Sequence, residues 1–437
     1  MNQNFDRLNP WRKGDRSFLP FRTIRRELLD PLIVGLDRPW ITVLIGSRQV
    51  GKTFLMKLMI QHQLENQNVP SQNIFYFDLD YFEFWELLED PSRFLDFLEI
   101  YGGQEGTRYV YLDEVQRLKN AGLILKRLHD LHLDLKLIVS GSSSLEIKSQ
   151  VKETLAGRKR VYEVYPLSFP EYYRFKTGEV LDGVPALLKY EKNRVEKHLD
   201  AYLNFGGYPG VALEDDPEEK KALLREIYDA YIRRDISDFM QVEDIQAFNK
   251  LVVLSASRVG TLMNVEEISR TLRIPRNTTL RYLDILEQTF IIHRLPPFFE
   301  NRKKELVKMP KLYMLDNGLR NVSLNYFQEI TFRPDRGALA ENFVFSQFAR
   351  KFGVPNLSFW RTTGKSEIDF IRQDGVKLTP VEVKYRSFKG KTVPKVFRPF
   401  IENYGDRIER FVVLTKDFYE ETRISGKKVL FQPLWAC

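Results

Sequence analysis

The chain has 437 residues, 43% hydrophobic and 13% aromatic; it is globular in composition and too long for one ordinary core, so two to four domains are expected. Lys plus Arg outnumber Asp plus Glu by 67 to 59, a balance open to nucleic acid or acidic lipid and requiring neither. The single cysteine, Cys437, excludes an intrachain disulfide and a cysteine-based metal site, and the apolar runs are of strand length, too short to cross a membrane. With a polar N-terminus lacking a signal-peptide core, the expectation is a soluble cytoplasmic protein without a membrane partner.

The first informative element is "ITVLIGSRQVGKT", beginning at Ile41. A β-branched strand runs into G-x-x-x-x-G-K-T, and a helical pattern follows. In that strand–loop–helix context Gly46, Ser47, Arg48, Gln49, Val50 and Gly51 form a phosphate loop whose backbone N–H groups curl around ATP. Lys52 would reach the β- and γ-phosphates, and Thr53 would ligate Mg²⁺. A second strand, "RYVYLDE", ends in Asp113 and Glu114. These fit a Walker B pair, in which Asp113 holds the Mg²⁺ water shell and Glu114 orients the attacking water. A third strand, "LKLIVSGSSS", ends in serines. The hydroxyls of Ser140 and Ser142 either sense the γ-phosphate or are there as ordinary loop residues.

Next comes "LAGRKR", followed by "YPLSFPEY", and further on "NFGGYPGV" and "YIRRDI". Together with the elements above, this ordered set resembles bacterial and archaeal AAA-like ATPases fused to an uncharacterised C-terminal region. The resemblance runs over nearly the whole chain. It implies an ATPase core of the additional-strand type and a homo-oligomer. Arg158 or Arg160 would then be an arginine finger completing a neighbour's site; otherwise both belong to a solvated basic run.

Helical periodicity dominates residues 186–258, interrupted at Gly206-Gly207 and Pro209-Gly210, and reads as a lid or linker. Two short helices then flank Ile274-Pro275, with Ile268, Leu272, Leu280, Leu283 and Leu286 on the inward face. An extended pair follows, residues 290–295 and 311–315. Helix–turn–helix plus hairpin is a winged-helix pattern. If it reads DNA, Arg276, Asn277, Thr278, Thr279 and Arg281 face the major groove, and Arg302, Lys303, Lys304 and Lys308 of the wing meet phosphates. The alternative is a winged helix that packs protein against protein.

Beyond Asp316 the order is an amphipathic helix carrying Glu341, a strand with Asp369, a strand with Glu382-x-Lys384, and a later buried strand, "RFVVLTK". This resembles the core of the PD-(D/E)XK nuclease superfamily, with Asp369, Glu382 and Lys384 as its signature and Glu341 as the helical carboxylate. Glu382 and Lys384 are two apart on a strand and share a face, where Asp369 and Glu367 can meet them from the neighbouring strand. Glu341, Asp369 and Glu382 are the expected Mg²⁺ ligands, and Lys384 would hold the nucleophile.

The expected fold class is therefore α/β. It comprises an AAA-like P-loop NTPase core with an N-terminal extension (1–185), a helical linker (186–258), a winged helix (259–315) and a restriction-endonuclease-like α/β domain (316–437). The expected function is ATP hydrolysis coupled to action on DNA, with ATP and Mg²⁺ as cofactors. The alternative is an ATP-driven assembly or regulatory switch whose last domain only binds DNA or a protein.

Overall fold

A computed structural model describes residues 2–18, 24–103, 105–131, 134–142, 155–230, 242–298, 309–362, 364 and 366–437. The chain divides into two compact units, Met1–Tyr165 and Pro166–Cys437, so the first unit ends earlier than the expected boundary at 185.

In the first unit, β1 (Ile41–Gly46), β2 (Ile74–Asp78), β3 (Arg108–Asp113), β4 (Leu135–Ser142) and β5 (Lys159–Glu163) form one sheet in the order β2-β3-β4-β1-β5. All neighbouring strands are parallel. Strand β4 is thus inserted between the strand leading to the phosphate loop and the strand ending in Asp113. Parallel pairing also brings the carboxyl ends of β1, β3 and β4 to the same edge, where ligands bind in open α/β sheets. Strand β1 is buried along its whole length, which is why its sequence is a continuous apolar run rather than an alternating one. The N-terminal extension covers the edge strand β2. The Asn9 side chain accepts from the Tyr76 N–H (2.7 Å) and donates to the Tyr76 carbonyl (2.9 Å), standing in for a neighbouring strand.

The second unit begins with helices Phe169–Thr177, Lys192–Phe205 and Pro217–Tyr228. Its helical part is built around the "NFGG" stretch, which meets a distant "LDNG" turn. Asp316 is buried; it caps helix Asn317–Ser323 by accepting from the Leu319 N–H (3.0 Å) and also accepts from the Gly207 N–H (2.8 Å). Only glycine fits here. Gly206 has φ +71°, and a Cβ on it would lie 2.1 Å from Asp316 Oδ1. A Cβ on Gly318 would lie 2.2 Å from the Phe205 carbonyl oxygen.

Helices Ile245–Ser257, Val265–Leu272 and Arg276–Gln288 are followed by β6 (Ile292–Leu295), which pairs antiparallel with β7 (Lys311–Met314). The segment 260–263 pairs with the other edge of β7, through Gly260 N–H to the Leu312 carbonyl and Met263 N–H to the Pro310 carbonyl, both 2.8 Å. Helix Ile245–Ser257 falls in the expected linker, yet its Phe248 packs edge-on against Tyr282 of the third helix (5.4 Å between ring centroids). It is a structural part of this three-helix unit.

The last sheet contains β8 (Leu357–Arg361), β9 (Glu367–Asp374), β10 (Lys377–Lys384), β11 (Phe411–Thr415), β12 (Glu420–Ile424) and β13 (Lys427–Pro433), in the order β12-β13-β11-β10-β9-β8. Strands β8, β9 and β10 form an antiparallel meander, and β11 runs parallel to β10 and β13. Helix Arg336–Phe352 precedes the meander, and helix Phe397–Tyr404 connects β10 to β11. The free side of β8 is covered where Phe298 N–H donates to the Phe359 carbonyl (2.5 Å) and Phe359 N–H to the Pro296 carbonyl (3.1 Å). The hairpin following the three helices therefore continues into the C-terminal sheet.

Replacing Gly206 by Ala should destabilise the protein by about 2–4 kcal/mol, because the new methyl meets a buried carboxylate at a positive φ. Urea unfolding followed by circular dichroism measures it. A loss below about 0.5 kcal/mol would mean that the Asp316 junction yields without cost.

Candidate functional site

The phosphate loop leaves the carboxyl end of β1. Gly51 has φ +94° and Gln49 φ +60°, so the loop doubles back before helix Lys52–Glu65 begins. Gly46 must lack a side chain, since a Cβ there would lie 2.2 Å from the Val164 carbonyl oxygen. Arg26, buried beside the loop, donates to the carbonyls of Val50 (2.8 Å) and Tyr165 (2.7 Å). A cavity of about 500 Å³ opens over this loop, lined by Arg48, Gln49, Lys52, Thr53, Asp80 and Glu114 among others.

Lys52 is 5% exposed, and its ammonium donates to the carbonyls of Ser47 (3.0 Å) and Gly46 (3.1 Å). Burial lowers its pKa, with Glu114 and Asp113 pulling the other way. Thr53 Oγ1 donates to Asp113 Oδ2 (2.5 Å), which also accepts from the Tyr76 hydroxyl (2.8 Å). The Ser140 hydroxyl donates to Asp113 Oδ1. Burial and the charge of Asp113 raise the Tyr76 pKa, so the phenol stays a donor. Hydroxyl and carboxylate oxygens at the mouth of a phosphate loop are the donor set that suits Mg²⁺. Glu114 follows at φ +56°, an uncommon backbone for a non-glycine residue, and Gln116 donates to its carboxylate.

Lys52, Thr53, Asp113, Glu114 and Ser140 come together at one sheet edge. Ser142 ends β4, and Ser143 and Ser144 lie outside the described residues. Arg26, Tyr76 and Gln116 were not expected. Arg158 lies at the other end of the sheet, since β5 starts opposite Ile41. It pairs with Asp130 (2.6 Å), while Arg160 stacks over Trp40 (5.2 Å to the ring centroid).

On the helix–turn–helix face, Arg276, Asn277 and Arg281 are exposed and Thr278 is half-buried. Thr279 does not face outward as expected: it is fully buried, accepting from Ser269 Oγ (2.9 Å) and donating to the Pro275 carbonyl (3.2 Å). Its place in the helical turn points it at the preceding helix. Leu280, expected inside, is half-buried. Arg276 pairs with Glu266 (2.9 Å) and Arg281 with Glu243 (3.5 Å), exposed pairs that a polyanion can displace at little cost. Arg302, Lys303, Lys304, Lys308 and the "YIRRDI" stretch lie outside the described residues.

In the C-terminal sheet, Asp369 on β9 and Glu382 on β10 lie one step beyond the paired residues Phe370 and Val381, as cross-strand neighbours. Asp369 Oδ2 accepts from the Val383 N–H (2.8 Å), and Glu382 Oε1 accepts from Lys384 Nζ (2.5 Å). Glu382 is 5% exposed, and its Oε2 is buried without a hydrogen-bond partner among the described residues. Burial, with repulsion from Glu341 and Glu382, pushes the Asp369 carboxyl well above the usual range. Burial likewise raises Glu382, with Lys384 opposing.

Glu341 has partners of a different kind. It accepts from the Tyr313 hydroxyl (2.6 Å) and from Lys311 Nζ (3.0 Å), and Lys311 also pairs with Glu367 (2.6 Å) and stands 3.9 Å from Asp369. Among the described residues no three acidic or histidine side chains already converge as a cage for a metal ion. The expected ligand triple thus divides: Asp369 and Glu382 adjoin, while Glu341 is held by a lysine. Lys311 and Tyr313 were missed as site residues. Their K-x-Y spacing on a strand signals a shared face, but nothing in the sequence says which carboxylates that face meets.

Residues 38–173 match the family model described as an AAA domain. Residues 196–329 and 336–435 match two models, each described as a domain of unknown function (DUF8612 and DUF4143). An uncharacterized protein of Haemophilus influenzae is 26% identical over 425 residues, 94% of this chain and 98% of its own. An uncharacterized protein of Methanocaldococcus jannaschii is also 26% identical, over 76% of this chain and 71% of its own. Among solved structures, the Aeropyrum pernix ORC1 protein in complex with DNA aligns with a TM-score of 0.32 at 14% identity, over 75% of this chain and 95% of that one. The Bacillus subtilis DNA clamp loader delta protein aligns with a TM-score of 0.26 at 13% identity, over 74% and 99%. Scores this low carry no functional weight. The family match and the loop geometry define an AAA-type P-loop ATPase domain. No helix among the described residues is long and apolar enough to cross a membrane.

Lys52→Ala should abolish binding of a fluorescent ATP analogue, since it removes the buried ammonium held at the loop by the Gly46 and Ser47 carbonyls. Glu114→Gln should retain binding and lose on the order of 10²-fold or more in hydrolysis rate. Undiminished turnover by the Gln variant would assign water activation to another group.

Proposed function

We propose that this protein couples ATP hydrolysis in its AAA-type domain to metal-dependent action on DNA by its C-terminal domain, with Asp369, Glu382 and Lys384 forming a PD-(D/E)XK-type phosphodiesterase site. The observation that carries this reading is the orphaned Glu382 Oε2, buried next to Asp369 on adjoining strands. The order helix, three-stranded meander, helix, parallel strand supports it, being the arrangement expected of that superfamily.

In the ATPase site, Thr53 and Asp113 would hold Mg²⁺, Lys52 would neutralise the β- and γ-phosphates, and Glu114 would orient the attacking water. Ser140 keeps Asp113 in place through its hydroxyl. In the C-terminal site, Asp369 and Glu382 offer hard oxygen donors fit for Mg²⁺. A divalent ion there would lower the pKa of a bound water and stabilise charge on the phosphodiester. The Val383 N–H fixes one Asp369 oxygen, and Lys384 fixes one Glu382 oxygen while keeping its ammonium beside the reacting face. Arg276, Asn277, Thr278 and Arg281 would contact DNA, with Lys303 and Lys304 on phosphates. Arg158 or Arg160 would act on a neighbouring subunit of a homo-oligomer, because the start of β5 lies at the end of its own sheet away from the phosphate loop.

The hold of Lys311 on Glu341 and Glu367 favours a second reading, in which the C-terminal domain binds DNA without cutting it and ATP drives a switch.

Incubating purified protein with labelled single- and double-stranded DNA, with Mg²⁺ or Mn²⁺ and with or without ATP, tests both readings. Asp369→Ala and Glu382→Ala should abolish cleavage and leave ATP hydrolysis within about twofold. Binding without cleavage under every condition would establish the second reading. Cleavage undiminished in Asp369→Ala would place the chemistry elsewhere.

A further inference from the structure

The C-terminal site holds more charge than two metal-ligating carboxylates require. Glu341 comes from helix Arg336–Phe352, Glu367 and Asp369 from β9, and Glu382 from β10. Lys384 occupies one oxygen of Glu382 (2.5 Å), and Arg361 one oxygen of Glu367 (3.0 Å). The remaining negative charge faces one ammonium. Lys311 Nζ lies 2.6 Å from Glu367, 3.0 Å from Glu341 and 3.9 Å from Asp369, and its side chain is 2% exposed. Its ammonium is therefore centred among the oxygens of three carboxylates.

Lys311 belongs to none of the strands that carry these carboxylates. It is the first residue of β7, whose neighbours are β6 and the segment 260–263. Tyr313, two residues on, bonds Glu341 from the same face of β7. Gly260 closes over the same carboxylate, where a Cβ would lie 3.1 Å from Glu341 Oε1. The wing strand is thus one wall of the acidic site. Glu382 Oε2 is left without a hydrogen-bond partner among the described residues.

We propose that Lys311 is a resident cation filling the second cation position of this site, so that the intact protein takes up one divalent ion, at Asp369 and Glu382, and a second only where the ammonium is absent. The proposal rests on reading Asp369 and Glu382 as a divalent-ion site. Paired metal ions in phosphodiesterase sites stand about 3.5–4 Å apart and share carboxylates between them. An ammonium bridging Glu341, Glu367 and Asp369 meets the same electrostatic need with one charge instead of two, and hydrogen bonds direct it where a metal would demand full coordination.

The test counts Mn²⁺ ions on the full-length, nucleotide-free protein by electron paramagnetic resonance and titration calorimetry, in an Asp113→Asn background that silences the phosphate-loop site. The background protein should bind one Mn²⁺, lost in Glu382→Gln. Lys311→Met should bind two, and Lys311→Arg, which restores the positive charge, should return to one. Should Lys311→Met fail to fold, Lys311→Met/Glu367→Gln removes one charge of each sign, keeps Glu341 and Asp369, and should still bind the second ion. One ion of unchanged affinity in the Met variants would overturn the proposal and leave the metal reading of Asp369 and Glu382 standing. No Mn²⁺ on any variant would overturn that reading too, and two ions with Lys311 in place would show that the lysine fills no cation position.

Discussion

The buried ammonium of Lys311 is the interaction on which the C-terminal half depends. Three carboxylates, those of Glu341, Glu367 and Asp369, face this one ammonium, and breaking a buried ion pair by removing one partner typically costs about 3–5 kcal/mol. The lysine satisfies them from a strand that belongs to a different supersecondary unit. The β6–β7 hairpin and the carboxylate-bearing sheet are therefore in direct polar contact. Residues 296–298 run alongside β8, β7 presents Lys311 and Tyr313 to Glu341, and Gly260 leaves the room that makes the approach possible. These contacts run across the expected boundary at 315/316.

The ATPase domain solves its charge problem differently. Asp113 is surrounded by hydroxyls, from Thr53, Tyr76 and Ser140, instead of by a cation. Hydroxyls can rotate to follow an arriving metal ion, whereas an ammonium between carboxylates competes with one. These two acidic centres are thus opposite in character: one carboxylate is met by hydroxyls, the other group of carboxylates by an ammonium.

How much of this was legible in the sequence depends on the range of the interaction. The phosphate loop and Walker B strand were readable because their chemistry is local: glycines, a lysine and a threonine in one turn, and a carboxylate at a strand end. The placing of β4 between β1 and β3 followed from the family resemblance alone. The inward face of the second helix was misjudged at Thr279, where one residue of helical phase decides between a hydrogen bond to Ser269 and exposure to solvent. Lys311 could not be assigned from the sequence, since a lysine opening a short strand is ordinarily solvated. Only the tertiary approach of Glu341 and Glu367 gives it a purpose. The double glycine at 206–207 read as a helix break, and its deeper reason, a buried carboxylate from Asp316, was equally out of sight.

That last junction has a consequence for how the chain is made. Gly207 and Asp316 are 109 residues apart, and Asn321, on the same short helix, bonds the Leu203 carbonyl across 118. At ribosomal speeds of about 5–20 residues per second, the end of helix Lys192–Phe205 emerges on the order of 5–20 s before the carboxylate that completes it. During that interval the face destined for residues 316–323 has no intramolecular cover. The helical unit can therefore settle only after the later helix has been synthesised.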